Sequence, residues 1–200
     1  MLQSFYNFIE CDNDIRTEFI FRENLQVQQK SSRAVSESIG KMFDFTMSRN
    51  YTLVAIHVRR GDYITWKLPM AEKLFYDKAR DYFRLRYRRV IFLAITYPDN
   101  SSREWCSDNL VKGSDDTFLA TMNPKEVDMY ILANSDHVIV SSGTFGWWGA
   151  WLNKHATVIK WNALYNGTFW NPLDFYPSHW ILLEGPGLGH YRDSKRWLSQ

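Results

Sequence analysis

Cysteine is nearly missing from this sequence: Cys11 and Cys106 are the only two in 200 residues. Two cysteines so far apart form neither a metal-ligand spacing nor a disulfide framework, so a hydrophobic core must hold the fold. One bridge and two buried thiols both fit. A long apolar run is missing too. No stretch approaches the roughly 18 residues needed to cross a bilayer, and no cationic, apolar leader is legible, so no membrane anchor is expected within these residues. Charge of one sign is also scarce: 24 Lys and Arg face 22 Asp and Glu, a net charge of +2. That balance excludes the strongly basic surface of a usual nucleic-acid binder and leaves room for a local cationic pocket. The dinucleotide fingerprint G-x-G-x-x-G and the phosphate-cradling G-K-[ST] are absent, and Gly185-Pro186-Gly187-Leu188-Gly189 fits neither. Asp12-Asn13-Asp14 has the letters of a D-x-D metal motif but precedes the α/β region. No metal site is expected.

What the sequence does hold is 45% hydrophobic and 16% aromatic residues, nine of them Trp. A chain of this length buries roughly 70% of its unfolded surface and builds one substantial domain. The aromatic excess fits a large aromatic core or stacking against sugars and bases. Short apolar runs alternate with helical patterns. Leu25 to Ser32 reads as an exposed connection. Val35, Ile39, Met42, Phe43 and Thr46 predict a helix over 34–47. Leu53 to Val58 is a doubly covered strand, and 71–87 is an amphipathic helix with Leu74, Phe75, Ala79, Tyr82, Phe83 and Leu85 on adjoining turns. Val90 to Ile95 is the next strand. Ser101 is placed to cap a short helix carrying Trp105 and Leu110, and Pro124 to open a helix over 125–133 in its first turn. His137 to Val140 is a third strand, 142–152 a helix, and Ala156 to Lys160 a fourth strand. Strands alternating with helices predict an α/β fold, a Rossmann-like parallel sheet with helices on both faces. Residues 1–50 read as a helical lead-in, and 51–200 as the Rossmann-like domain. From Trp161 onward an irregular wrap rich in Trp, Tyr, Pro and Gly is expected.

Ligands of open parallel sheets bind outside the carboxyl ends of strands. Two segments with binding chemistry lie at such ends. The first is His57-Val58-Arg59-Arg60-Gly61-Asp62-Tyr63. Two arginines there offer planar, permanently charged donors to a diphosphate, Gly61 allows a sharp turn, and Asp62 can orient an arginine. A solvated arginine pair pinned by Asp62 fits the same residues. Arg60-Gly61-Asp62 also spells an adhesion tripeptide, which needs an exposed loop tip rather than the end of a buried strand. The second segment is Ser141-Ser142-Gly143-Thr144-Phe145-Gly146-Trp147-Trp148-Gly149-Ala150. Small and hydroxylated residues opening a helix aim backbone N–H groups and the helix dipole at an anion. The same residues also allow tight packing on a sheet.

In their order and separation the two segments resemble the galactoside α-1,2-fucosyltransferases, glycosyltransferase family 11. His57, Arg59, Arg60 and Asp62 meet the family's H-x-R-R-x-D motif. Gly143, Thr144, Phe145, Gly146, Trp148, Ala150 and Leu152 meet its late G-T-F-G-x-W motif. The resemblance covers about residues 15–180. It implies the nucleotide-binding half of a GT-B-like enzyme with GDP-fucose as donor and a galactose-terminated glycan as acceptor. Arg59 is the implied catalytic residue, holding the β-phosphate and stabilising the departing GDP. His57, Arg60, Asp62, Ser142, Gly143, Thr144 and Phe145 are the further donor-binding residues it implies. The reaction inverts configuration, and arginine charge replaces a metal, so no cofactor is expected. The general base is left open among Asp77, Asp99, Asp115, Asp116 and Glu126.

Family members carry a cytoplasmic tail, an anchor, a stem and about two domains, and they work on the lumenal side of the Golgi membrane. Too little sequence precedes His57 for the whole N-terminal domain, so the acceptor side is expected to be incomplete here, and membrane association to come only through an anchor outside these residues. Asn50, Asn100 and Asn166 each head an N-x-[ST] acceptor pattern, in keeping with a secretory protein. Two other readings stay open: a non-catalytic GDP-fucose or glycan-binding module, and a structural α/β domain.

Overall fold

A computed structural model of the chain describes residues 9–19, 25–39, 51–162 and 175–184. Six parallel strands make one sheet: β1 (Thr52–Val58), β2 (Val90–Thr96), β3 (Thr117–Leu119), β4 (His137–Val140), β5 (Thr157–Asn162) and β6 (Ile181–Glu184). Their spatial order is β3-β2-β1-β4-β5-β6. The chain winds outward from β1 to β3, then crosses back and winds the other way from β4 to β6, the doubly wound Rossmann order.

Alternate residues of each central strand feed opposite faces, as a period of two requires. Leu53 and Ala55 of β1, with Ile91, Leu93 and Ile95 of β2, join one core with Val138, Val140 and Val158. Val54, Ile56 and Val58 join the other with Phe92, Ala94, Ile139 and Ile159. Helices α2 (Leu25–Ile39), α6 (Lys125–Asn134) and α7 (Thr144–Leu152) cover the first face. Helices α4 (Lys73–Arg84) and α5 (Asn100–Cys106) cover the second. The short helices α1 (Asp12–Glu18) and α3 (Asp62–Thr65) complete the set. Both faces being covered explains why the four central strands read as continuous apolar runs.

Several expectations need correction. Helix α2 begins at Leu25, so the stretch read as a connection is helical; its glutamines favour helix without giving an apolar stripe. Residues 40–50, the rest of the helix expected there, lie outside the described residues, as do Asn50 and Asn166. In α4 the inner face is Phe75, Tyr76, Ala79, Arg80 and Phe83, while Leu74 and Leu85 are exposed. Asp99, not Ser101, caps α5, accepting from Ser102 N–H at 2.8 Å. The helix begins at Asn100, which places Asp99 at the N-cap and Ser101 in the first turn. After α5 the chain widens into a five-residue π-helix, Ser107–Val111, that carries Leu110. Pro124 opens α6 from its N-cap, with the helix beginning at Lys125 as expected. The strands β3 and β6 were not expected. In particular, Ile181–Glu184 runs parallel to β5 where an irregular wrap was predicted. Both cysteines are free, Cys106 buried and Cys11 exposed, so there is neither a bridge nor a pair of buried thiols. Asp12 of the D-N-D triplet accepts from Arg16 at 2.8 Å within α1.

Candidate functional site

Because the winding reverses between β1 and β4, the loops leaving their carboxyl ends diverge and leave a crevice between them. Both motif segments end at that crevice, and hydrogen bonds tie them together. Ser141 N–H donates to the His57 carbonyl at 3.2 Å, and the Ser141 hydroxyl donates to the same carbonyl at 3.0 Å. The Arg59 N–H in turn donates to Ser141 Oγ at 2.8 Å.

Arg59 lies across the crevice. Its Nη2 reaches Asp62 Oδ1 at 2.7 Å and Oδ2 at 2.8 Å, and its guanidinium sits 5.0 Å from the Tyr63 ring centroid. On the opposite wall Gly143 has φ 93°, and a Cβ there would stand 3.4 Å from Arg59 Cδ. Glycine at 143 therefore both permits the left-handed turn and makes room for the arginine. Arg60 turns away and stacks over Trp105 at 4.3 Å. Gly61, φ 52°, is fastened from below: its N–H donates to Ser102 Oγ at 3.0 Å, and Ser102 donates to Asp99 at 2.6 Å. The β1 loop is thus locked to the start of α5.

His57 is 5% exposed, and its ring packs directly on Gly146, where a Cβ would fall 2.3 Å from Nδ1. Burial first, then the charges of Arg59 and Lys160, lowers its pKa to about 3, so the imidazole is neutral at physiological pH. It supports the crevice as an uncharged wall. An acid-stability consequence follows. An unfolded histidine takes its proton near 6.5, but native His57 does not until about 3, so stability is complete above 6.5 and is lost as pH falls through that window. His137, lowered in the same direction by burial, adds to the slope. Between pH 6.5 and 5 we expect His57 to contribute up to about 1.4 kcal/mol per pH unit, read from urea midpoints. His57→Asn should flatten that slope; an unchanged slope would mean His57 is accessible to protons.

Four polar atoms of the crevice segments are shielded from solvent and have no hydrogen-bond partner among the described residues: His57 Nδ1, Arg59 Nε, Arg60 Nε and Ser142 Oγ. Leaving such groups unsatisfied costs about 1–3 kcal/mol each; Arg59 Nε and Ser142 Oγ, on the two facing segments, suit a site that binds a polar, anionic group. Phe145 packs its ring 5.8 Å from that of His57, and with Thr144, Phe19, Met129, Trp148 and Leu152 it lines an apolar cleft of about 640 Å³ beside α7, where Phe19 stacks on Trp148 at 5.3 Å. The second segment thus sets Gly143 against Arg59 and Phe145 against His57, with Thr144 and Phe145 also facing the cleft.

Most of the carboxylates considered as bases already have structural partners. Asp77 is held by Lys73 and Arg80, Asp116 by two nitrogens of Arg84 at 2.7 Å, and Asp99 caps α5. Asp115 and Glu126 are exposed. Burial raises Asp128, which was not considered, to about 6. Asn100 is exposed in the first turn of α5. Among the described residues no group of three or more His, Cys, Asp and Glu is placed to hold a metal, and no helix is long and apolar enough to cross a membrane. Sequence reasoning passed over Lys160, Ser141 and the Asp99–Ser102 pair. Lys160 had a signal: a lysine inside the buried run Val158-Ile159-Lys160-Trp161.

The chain is similar to known proteins. Bovine galactoside alpha-(1,2)-fucosyltransferase 1 is 32% identical over 159 residues, covering 76% of this chain and 42% of that protein. The alpha-1,2-colitosyltransferase of Escherichia coli is 28% identical over 142 residues, covering 66% and 47%. The chain thus spans less than half the length of these relatives. Among solved structures, the selenomethionine form of the fucosyltransferase NodZ from Bradyrhizobium aligns at 14% identity with a TM-score of 0.46, over 72% of this chain and 47% of that one. The family model described as glycosyl transferase family 11 matches residues 3–184, a span that contains both walls of the crevice, and the chain belongs to that family.

Proposed function

We propose that this chain transfers L-fucose from GDP-fucose to a galactose-terminated glycan, forming an α-1,2 linkage with inversion and without a metal. The observation that supports this reading best is Arg59, laid across the crevice between Asp62 and Gly143. A diphosphate placed there meets a fixed guanidinium on one side, and Gly143 and the start of α7 on the other. As the bond from the sugar to the β-phosphate breaks, negative charge grows on the leaving GDP, and Arg59 stabilises it more in the transition state than in the ground state. Asp62 keeps the guanidinium aimed, and Arg60, stacked on Trp105, stiffens the loop. The acceptor hydroxyl attacks the anomeric carbon from the opposite face and loses its proton to a base. The nucleotide-binding half of a GT-B-like enzyme and a lumenal Golgi location belong to the same reading. That one relative is named for colitose makes the sugar its finest point.

The second reading is a non-catalytic GDP-fucose or glycan-binding module. Release of GDP from GDP-fucose in the presence of a galactoside acceptor supports transfer; binding without release supports the module.

Thermal shift tests the donor site under either reading. At a hundredfold excess over Kd a ligand stabilises by about 2.7 kcal/mol, and at this chain length roughly 2–4 °C per kcal/mol makes the effect readable. GDP should raise Tm more than GMP, which lacks the β-phosphate. Equal shifts would refute the β-phosphate assignment. Transfer should survive saturating chelator; loss restored by manganese would refute the metal-free mechanism.

A further inference from the structure

The interior holds a lysine. Lys160, 2% exposed, lies in β5 in register with Val140 at the end of β4 and with Leu182 of β6. Moving an ammonium from water into such surroundings costs several kcal/mol unless an anion meets it. Among the described residues no carboxylate does. Its Nζ donates to the Ser141 carbonyl and sits 5.0 Å from the Tyr176 ring centroid. The titratable and charged groups around it are His57 of β1, which stays neutral, Arg59 beyond it, Tyr76 of α4 against Ser141, and Tyr176; its register neighbours carry none.

Ser141 connects this lysine to the donor crevice. The residue whose carbonyl accepts from Lys160 offers its hydroxyl oxygen to the Arg59 N–H. We propose that Lys160 is a positioning residue of the donor site: its ammonium fixes Ser141 and through it the backbone of Arg59, and the diphosphate of the sugar nucleotide balances its charge. This rests on the donor reading above.

Burial alone lowers Lys160 to about 7, so at and above neutrality much of the free protein carries it uncharged. A diphosphate on Arg59 brings negative charge to the Ser141 turn and favours the protonated form. Binding must then draw a proton from solvent, and affinity must fall as pH rises above 7, by at most tenfold per pH unit.

The test is titration calorimetry of the chain with GDP-fucose at pH 8, in buffers of different ionisation heat. GDP-fucose is chosen because its diphosphate is esterified at both ends and stays a dianion of fixed charge across this pH range, so any proton taken up goes to the protein. We expect uptake of close to one proton and an affinity more than tenfold weaker at pH 8.5 than at pH 7. Lys160→Met should remove both effects and, at pH 6.5, bind GDP-fucose at least tenfold more weakly than the wild type. A lysine with a merely structural role would change Tm on substitution but leave the proton count at zero. Binding by the wild-type chain without proton uptake overturns the proposal and leaves the donor reading intact. Uptake that persists in Lys160→Met overturns it as well. Absence of GDP-fucose binding removes both the proposal and the donor reading.

Discussion

Arg59→Ala is expected to lower transfer from GDP-fucose by about a thousandfold or more while the protein stays folded. The size follows from what an arginine contributes at a departing phosphate, where charge develops in a site shielded from water. Stability should hardly move. The side chains of the Arg59–Asp62 pair are 25% and 37% exposed, and such pairs contribute about 0–1 kcal/mol. Arg59→Lys should recover little, because a single ammonium cannot both keep Asp62 and present a planar fork to the diphosphate. Arg60→Ala should lose less than Arg59→Ala, since Arg60 is turned onto Trp105. A folded Arg59→Ala protein with near-normal turnover would remove Arg59 from the mechanism.

Gly146→Ala carries the second large effect, on stability and binding together. The added methyl would fall 2.3 Å from His57 Nδ1 and 2.6 Å from Cγ, and the buried ring has little freedom to retreat. Overpacking of this kind costs about 3 kcal/mol, or roughly 6–12 °C in Tm at this length. Gly149→Ala is the matched control. Its methyl would stand 2.7 Å from Leu132 Cβ, a comparable clash against α6 instead of the crevice. Both variants should melt early, but only Gly146→Ala should also weaken GDP binding, because His57 and the turn after β4 must move together. A Gly146→Ala protein with wild-type Tm would contradict the packing of His57 on α7.

The central strands were legible because burial on both faces imposes one composition: Leu53 to Val58 and Val90 to Ile95 leave no alternation to confuse with a half-exposed strand. The edge strands were not. Thr117–Leu119 has three residues, too few for any period, and Ile181–Glu184 follows a Trp- and Pro-rich stretch that reads as loop. Helix α2 was found but started late, because Gln26, Gln28 and Gln29 carry helix propensity without an apolar pattern. At the site, Arg59 and Gly143 were legible by residue type, since charge and a positive φ each leave a mark on composition. That Thr144 and Phe145 also face an apolar cleft was not, because direction around a helix start depends on tertiary packing. Ser141 was hidden by its plainness. A serine beside a strand end says nothing until its hydroxyl is seen to join Arg59 to His57.

The two walls of the crevice are distant along the chain: the Arg59–Ser141 hydrogen bond spans 82 residues. A contact of that separation requires a long loop to close, and such contacts form late in folding. Strands β1 to β3 and their helices can pair through neighbours in sequence, whereas the β1–β4 ladder must wait until the chain has doubled back. The crevice exists only once that ladder has closed. A partly folded chain therefore presents Arg59 without its opposite wall, and under the proposed donor reading nucleotide binding would report that folding is complete.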